Sequence, residues 1–480
     1  MDGVTQSLCA EVGARNFARG TSDREYSYRS LKTVAALSPT PLFLFTPRTL
    51  EARARELVGI KGWGARWTAC YMIKTNWAPP VVKMICREGI GAAVSNSVEL
   101  AIAHQAGASA EQLIAVGPAK SDLFLRDCVD LGLRFVMLET IEEARALSAI
   151  ASQRGRSVSV GLRVSSGIEA HTRDYLLSWP RQRRPESKFG VAWSEALAIA
   201  LEVNKLPHLA LSALSTNLGS QICSVEVFRR GLRSLIHLAS KLAGAGCCIT
   251  HFDIGGGLPV EGLKRRFPTP YSLLTKALLG KTAFTVLETP SDECQPRSLI
   301  PYLLECEGLP AHATLIVEPG RWLAAGAMEL LCSVVRTSRR SGRRWIYLDG
   351  GIDLLPDAGF GEKRLIRAIG RNSQTGRLEP HAVAGPSCMK ADVLTRDVML
   401  PCSIDVGDFM LIGSAGAYGF SRSSWFGGAL PAVVETAAHE SSPRILLQGK
   451  PNTTLFESLR QSAVLQPSRQ ISELGSHIDA

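Results

Sequence analysis

The chain has 480 residues, of which 45% are hydrophobic and 20% are charged, and its formal net charge is +10. This composition is that of an ordinary globular protein of one to three domains, and no apolar stretch approaches the length of a membrane span. The N-terminus lacks the continuous apolar segment of a secretory signal. The 12 cysteines form no CxxC pair and no metal-like cluster, so we expect a cytoplasmic protein with mostly free thiols and no metal.

The positive charge is mostly arginine, concentrated in residues 181–184 and 336–344. Such runs can contact nucleic acid or an acidic partner protein. They are more often solvated loops, and no helix-turn-helix, zinc-finger or aromatic RNA-binding motif accompanies them. We therefore expect neither a nucleic-acid partner nor a membrane partner.

Residues 1–37 carry little periodicity and are predicted to be a flexible leader. From Pro41 onwards, short apolar runs alternate with amphipathic helical stretches. Repeated strand–helix units imply a parallel sheet, and eight or so of them over about 270 residues fit a closed (β/α)₈ barrel, placed at 38–325. The strand-like runs are 43–45, 67–74, 90–94, 113–116, 135–138, 158–164, 209–215, 251–254 and 315–317, and helix-like stretches are 47–58, 79–87, 97–106, 121–131 and 141–153.

After residue 325 the helical periodicity fades, and short strand-like pieces are separated by Gly, Pro and Asp. This pattern predicts an all-β second domain over residues 326–447. Residues 448–480 are polar with scattered apolar positions and are predicted to be a tail.

Lys74 ends the apolar, strand-like run 69–74. Burying an ammonium group is costly, so a core strand should not end in an unpaired lysine without a cause. One cause is a lysine that forms a Schiff base, the usual covalent attachment for pyridoxal 5′-phosphate (PLP). The alternative is a lysine that simply reaches solvent at the end of a strand.

Two motifs follow other predicted barrel strands. Gly255, Gly256 and Gly257 let backbone N–H groups close on a phosphate without a Cβ in the way, although most glycine runs only mark tight turns. Glu318 and Arg321 lie three residues apart after the apolar run 315–317. The carboxylate could pair with a pyridinium nitrogen and the guanidinium could bind a phosphate, or the two could form a local ion pair.

The predicted β domain contains two further candidates. Cys388 lies on a Gly-Pro loop, where a thiol can act as a proton donor, although most lone cysteines merely pack. Tyr418 lies on a glycine-flanked turn, where a phenol can bind a phosphate or can simply pack.

Together these motifs resemble the fold-type III pyridoxal-phosphate decarboxylases, the group of diaminopimelate and ornithine decarboxylases, and most closely the diaminopimelate branch. The resemblance covers roughly residues 40 to 435 and keeps the order of the family's motifs. Each motif is weak alone, but seven in order are highly specific. They are residues 71–76, 187–190, 218–221, 255–257, 318–321, 385–388 and 414–424.

The resemblance implies that Lys74 holds the cofactor, that Glu318 pairs with its ring nitrogen, and that Cys388 enters the neighbouring subunit's site to protonate the carbanion. It also implies a head-to-tail homodimer with shared sites. The expected phosphate-binding residues are Ser220, Gly255, Gly256, Gly257, Arg321 and Tyr418.

The chain departs from the family pattern at several positions. Asn217, which we assign to cofactor binding, replaces a histidine that stacks on the cofactor ring, and Ala93 replaces a common aspartate near the cofactor. Met389 replaces the acidic partner of a distal ammonium group, while Lys390, next along the loop, could favour a distal anionic or carrier-linked group. The loop that begins at Asp349 resembles the diaminopimelate branch but lacks its arginine for the distal carboxylate. We assign Met389, Lys390 and Asp349 to the substrate pocket.

The resemblance and the departures from it thus predict a PLP-dependent decarboxylase. Its substrate is expected to be a free amino acid or a carrier-linked aminoacyl group, a specialised biosynthetic intermediate rather than diaminopimelate or ornithine. Two alternatives remain at this point. One is a racemase, an eliminase or a decarboxylative bond-forming enzyme on the same scaffold. The other is a catalytically silent homologue that binds a partner protein.

Overall fold

The computed structural model describes residues 26–165, 167–168, 187–260, 263–265, 267–268, 285–286, 290–305, 309–360, 362–371, 377–424, 426, 430–436 and 442–449. Residues 1–25 of the predicted leader, the arginine run 181–184 and most of the predicted tail lie outside these ranges. Among the described residues, no helix combines the length and apolar character needed to cross a membrane.

The helices are α1 (Tyr28–Leu37), α2 (Pro47–Val58), α3 (Pro79–Arg87), α4 (Ser97–Gln105), α5 (Asp122–Leu131), α6 (Ile141–Arg154), α7 (Ala196–Val203), α8 (Val225–Ala243), α9 (Pro296–Leu304) and α10 (Gly320–Ala324). The strands up to the end of the first sheet are β1 (Leu42–Phe45), β2 (Trp67–Met72), β3 (Gly91–Val94), β4 (Leu113–Ala115), β5 (Phe135–Leu138), β6 (Val158–Ser165), β7 (Val191–Ala192), β8 (Leu209–Ser215), β9 (His251–Asp253), β10 (Leu263–Arg265), β11 (Phe267–Pro268), β12 (Thr285–Val286) and β13 (Thr314–Val317). The remaining strands are β14 (Met328–Arg340), β15 (Arg343–Leu348), β16 (Glu362–Arg364), β17 (Ile366–Ile369), β18 (Leu378–Ala384), β19 (Val393–Pro401), β20 (Phe409–Ile412), β21 (Ala432–Glu435) and β22 (Arg444–Leu447).

Eight parallel strands close into a barrel in the order β2, β3, β4, β5, β6, β8, β9 and β13, and β13 pairs back onto β2. The predicted (β/α)₈ barrel is therefore confirmed. Its interior is filled mostly by apolar side chains from alternate strand positions, including Cys70, Met72, Ile114, Met137 and Ile316. Because this interior is packed, a ligand site can form only in the loops at its ends.

Three consecutive helices outside the barrel begin with side-chain caps. Asn96, Ser121 and Thr140 each accept a hydrogen bond from the backbone N–H three residues on, at the start of α4, α5 and α6. Each cap satisfies an N–H group that the helix leaves unpaired. These helix starts follow the carboxyl ends of β3, β4 and β5, the face on which barrel enzymes carry their active sites.

The second domain is a nine-stranded sheet in which β19, β18, β15, β14, β1, β21 and β22 are neighbours in that order, and β20 pairs with β14 and β17. The arginine run 336–344 forms the hairpin between β14 and β15. Its outermost pairs, such as Arg340 opposite Arg343, lie at the sheet's end.

Two features of the N-terminal region differ from the expectation. Strand β1 pairs antiparallel with β14 and parallel with β21, so it belongs to the second sheet and not to the barrel. Its four residues are all buried, and an unbroken apolar run carries no information about which sheet it joins. Helix α1 also forms within the predicted leader, where Leu31 and Val34 are buried against the second sheet.

Candidate active site

The loops at the carboxyl ends of the barrel strands enclose a cavity of about 300 Å³. Most of its wall comes from the barrel, and the second domain contributes Tyr418. Sequence-predicted residues in the wall are Lys74, Asn217, Ser220, Gly256, Gly257, Glu318, Arg321 and Tyr418. The cavity therefore brings together motifs that lie up to 344 positions apart in the chain.

Lys74 lies in a 3₁₀ turn, Ile73–Thr75, directly after β2. Its side chain is exposed at the cavity wall, whereas Ile73 and Thr75 on either side are buried. The amine can therefore reach a ligand in the cavity without passing through the core.

The turn that carries Lys74 is bound to the loop after β20. The Asn76 side-chain amide donates to the Gly416 carbonyl (2.8 Å), and its oxygen accepts from the Ala78 amide (3.1 Å). The Thr75 carbonyl accepts from the Tyr418 amide (2.9 Å) and the Ser421 hydroxyl (2.9 Å). These bonds hold Lys74 and Tyr418 in one rigid unit, a role for Asn76 that sequence reasoning missed.

Glu318 follows β13, and its backbone N–H donates to the Gly255 carbonyl (2.8 Å). The carboxylate of fully buried Asp253 lies nearby and accepts from the Gly255 amide (2.8 Å) and the Ser215 hydroxyl (3.0 Å). Burial raises the pKa of Glu318, and the Asp253 carboxylate raises it further, while the cations Arg163 and Lys74 oppose the rise. A cationic group in front of Glu318 would therefore be stabilised, as expected for a protonated pyridine nitrogen.

The raised pKa of Glu318 predicts a pH-dependent stability in the cofactor-free protein. In the unfolded chain this carboxyl ionises at its ordinary pKa, whereas in the folded chain it ionises only at higher pH. The folded state therefore loses stability as the pH rises from the unfolded-state pKa to the folded-state pKa. Glu318→Gln removes the ionisation. The quantity to compare is the melting temperature of the variant minus that of the wild type. We expect this difference to be about a few degrees larger at pH 8 than at pH 5.

The control for this measurement is Glu195→Gln, at an exposed position outside the cavity. Its melting temperature should follow that of the wild type at both pH values. If Glu318→Gln changes the melting temperature by the same amount at pH 5 and at pH 8, ionisation of Glu318 does not affect stability.

Two glycines of the motif line the cavity at positions where a side chain would not fit. A Cβ on Gly256 would lie 2.6 Å from the Glu318 carbonyl oxygen, and one on Gly257 would lie 2.6 Å from Ile222 Cδ1. Gly257 also has a φ of +92°, which favours glycine. Gly255 does not line the cavity, and its N–H is bonded to Asp253. The predicted phosphate cradle is thus reduced to two of the three glycines.

The cavity also contains Arg163, which sequence reasoning missed. This residue lies on β6 and donates to Glu139 Oε1 (2.8 Å), while Glu139 Oε2 accepts from the Gly190 amide (2.9 Å). The guanidinium lies 4.6 Å from the centroid of the Phe189 ring. A charged residue inside the strand-like run 158–164 was the available signal, but its partner Glu139 comes from the loop after β5.

Arg321 and Tyr418 form the other end of the cavity wall. The guanidinium of Arg321 lies 4.8 Å from the Tyr418 ring centroid. It donates to Glu362 (3.2 Å), and it lies 3.7 Å from an Asp357 oxygen. Its Nε is buried and has no hydrogen-bond partner among the residues that the structure describes. Because an unpartnered buried donor is costly, this atom is a candidate contact for an anion.

Cys388, Met389 and Lys390 are not brought to this cavity. They lie exposed on the loop after β18. The loop is nevertheless fixed, because the buried Asp392 carboxylate accepts from the Ser387 amide (2.9 Å) and hydroxyl (2.7 Å). The same carboxylate accepts from the Ile352 amide (3.0 Å). Within one chain, therefore, these three predicted site residues are presented outwards.

Asp349 and Asn217 differ from their expected surroundings. Asp349 lies outside the cavity, and its carboxylate accepts from the Thr40 hydroxyl (2.5 Å) and the Ser333 amide (2.9 Å). It joins the chain's N-terminal part to β14, so its predicted place in the substrate pocket is not observed within the chain. Asn217 does line the cavity, and its side-chain oxygen accepts from the Gly219 amide (3.3 Å).

These observations fit PLP. An amine, a half-buried carboxylate suited to a cation, a close-approach glycine wall and an arginine with an unpartnered buried donor all border one cavity. The fold and the site define a PLP-binding barrel enzyme.

Comparison with known proteins identifies the family. The family model described as "Pyridoxal-dependent decarboxylase, pyridoxal binding domain" matches residues 50–325. Diaminopimelate decarboxylase of Mycobacterium tuberculosis is 30% identical over 423 residues, covering 85% of this chain and 88% of the relative. The chain therefore belongs to the pyridoxal-dependent decarboxylase family. It is a PLP-dependent amino acid carboxy-lyase, and pyridoxal 5′-phosphate is its cofactor.

Solved structures show the same fold. Diaminopimelate decarboxylase from Helicobacter pylori complexed with L-lysine superposes with a TM-score of 0.73 at 22% identity, covering 90% of this chain and 100% of that chain. SrLDC in complex with PLP and cadaverine gives a TM-score of 0.67 at 22% identity, covering 86% and 95%.

Proposed function

We propose that this enzyme decarboxylates an amino acid other than diaminopimelate, ornithine or lysine, a specialised compound that is free or linked to a carrier. The observation that carries the proposal is the charge of the residues at the expected substrate positions. Met389 offers a thioether on the fixed loop after β18. Asp357, just after the loop that lacks the family's arginine, is a carboxylate already paired with Arg321 and Arg422.

Bound PLP supplies an electron sink that stabilises the charge left when CO₂ departs. In the proposed reaction, the Lys74 amine would hold the cofactor at the cavity wall. Glu318 keeps the proton on the ring nitrogen. The phosphate would be bound by Tyr418, Arg321, Ser220 and the two glycines of the cavity wall.

Cys388 is proposed to complete the site from a second subunit, returning a proton to the substrate's Cα. Three facts support this assignment: the thiol is exposed, the loop that carries it is fixed by Asp392, and the chain's own cavity lacks it. The site would then be shared between the two chains of a homodimer.

The shared site predicts complementation. Lys74→Ala and Cys388→Ala are each expected to be inactive as homodimers. Mixed with subunit exchange, they should recover about a quarter of wild-type activity, because random assortment gives one intact site in half of the dimers. Mixing Lys74→Ala with a second Lys74 variant, Lys74→Met, is the control and should recover nothing. If exchange is demonstrated without recovery, each site is built from one chain.

The experiment that tests the function is incubation of the holo-protein with a panel of amino acids while CO₂ is measured. Release from at least one specialised amino acid, with much slower release from the three common substrates, is expected. Retention of the carboxylate with racemisation or elimination of any panel member would contradict it.

A further inference from the structure

Five charged side chains form a cluster where the barrel meets the second domain. We call Arg321, Asp357, Glu362, Arg364 and Arg422 the arginine–carboxylate cluster. Glu362 Oε2 lies 3.2 Å from Arg321 Nη1 and 3.6 Å from Arg364 Nη2. Asp357 pairs with Arg422 through one oxygen and lies 3.7 Å from Arg321 Nη2 through the other. Arg321 is thus bound by two carboxylates, each of which has a second arginine.

The net charge of the cluster decides whether the cavity wall at Arg321 attracts or repels an anion. Arg321 with only its two carboxylates would carry a net charge of −1 and would repel an anion, whereas all five groups together carry +1. The excess positive charge therefore comes from Arg364 and Arg422 and not from the residue that lines the cavity.

Because most of the cluster is buried, its net charge acts strongly on a ligand at the cavity wall. The side chains of Arg321, Arg364 and Glu362 are exposed by only 8%, 3% and 4%. Charges in such surroundings are weakly screened, and they interact more strongly than on the surface. Burial lowers the pKa of Arg364 to about 10, which leaves its guanidinium charged at neutral pH.

The cluster also has hydrogen-bond donors that the described part of the chain does not use. The Nε of Arg321 and the Nε and Nη2 of Arg364 are buried without a hydrogen-bond partner. Because buried donors are nearly always satisfied in folded proteins, an anionic group from outside the described residues is expected close to Arg321, the member of the cluster that lines the cavity.

We propose that Arg364 and Arg422 are positioning residues for the cofactor phosphate. They neutralise Glu362 and Asp357, so that Arg321 keeps a positive charge for the phosphate. This inference rests on the proposed placement of the phosphate at Arg321. Neither arginine needs to touch the cofactor itself.

The test compares the affinity of the full-length chain for PLP and for pyridoxal, which lacks the phosphate, by spectroscopic titration. Arg422→Met and Arg364→Met each lower the cluster charge to zero. PLP affinity should fall about tenfold or more, while pyridoxal affinity should change less than twofold. Arg367→Met is the matched control, because Arg367 pairs with Glu329 outside the cluster, and it should leave both affinities unchanged.

Charge-restoring variants separate electrostatics from misfolding. Arg422→Met with Asp357→Asn, and Arg364→Met with Glu362→Gln, both return the cluster to a charge of +1. Each double variant should recover PLP affinity to within about threefold of wild type. The first pair is the safer one, because the Arg422 side chain is 43% exposed.

Several outcomes would overturn the inference. Equal losses for PLP and pyridoxal would mean a structural role, and no loss would mean no role. An unchanged ratio of the two affinities with a raised KM would place a substrate anion at Arg321 instead. The proposed function is tested by a different readout. If no amino acid releases CO₂ but PLP affinity still depends on the cluster charge, the proposed function is wrong and this inference stands.

Discussion

Lys74→Ala is expected to abolish turnover and covalent cofactor attachment together. In the wild type, the Lys74 amine borders the cavity next to Glu318, and it is the proposed attachment point. Borohydride reduction of the yellow holo-protein should fix the cofactor to a peptide that contains Lys74. The alanine variant should lose at least about three orders of magnitude in kcat, as expected when a nucleophile is removed.

The matched control is Lys188→Ala, because Lys188 is the other lysine in the described cavity wall. Its reduced adduct should still map to Lys74. An adduct on Lys188, or an alanine variant at position 74 that still retains a reducible cofactor, would show that the attachment point is wrong.

The barrel was predictable because its signal is local. An apolar run followed by an amphipathic stretch predicts a strand–helix unit, and the predicted helices 47–58 and 79–87 coincide with α2 and α3. Strand β1 shows where this reasoning stops. Its run of four apolar residues fits either sheet, and only pairing with β14 and β21, about 290 and 390 positions away, places it.

The same limit applies to the site. Lys74 and Glu318 were predictable because each belongs to a contiguous motif with chemistry of its own. The partners that tune them were not, since Glu139 and Asp253 act on residues of other loops. Electrostatic contacts between residues so far apart in the chain leave no spacing pattern in the sequence.

The arginine–carboxylate cluster gives a second example of this limit. The sequence predicted that the loop at 349–356 lacks an arginine. It did not predict that the next residue, Asp357, pairs with Arg422 from a loop 65 positions away. The loop that lacks the arginine is therefore followed by a carboxylate that is already paired with Arg422 and Arg321.

Ornithine, lysine and meso-diaminopimelate are expected to be poor substrates, with kcat/KM at least about two orders of magnitude below that for the preferred amino acid. Ornithine and lysine would place a distal ammonium group near Met389, which supplies no charge, and desolvating an unpaired charge costs several kcal/mol. The distal carboxylate of diaminopimelate would lack the arginine that the resemblance implies in the loop that begins at Asp349. Steady-state CO₂ release from the holo-protein measures all three.

Met389→Glu should raise activity on ornithine or lysine, because it restores an acidic partner for the distal ammonium group. Met399→Glu is the control, since Met399 is another exposed methionine, on β19 outside the cavity. It should leave the preference for substrates unchanged. The proposed rewriting of the pocket is wrong if the wild-type enzyme decarboxylates diaminopimelate or ornithine with a kcat/KM near 10⁴ M⁻¹s⁻¹, roughly the lower end for ordinary enzymes. In that case Met389 and the missing loop arginine would be tolerated departures in an enzyme with the specificity of its relatives.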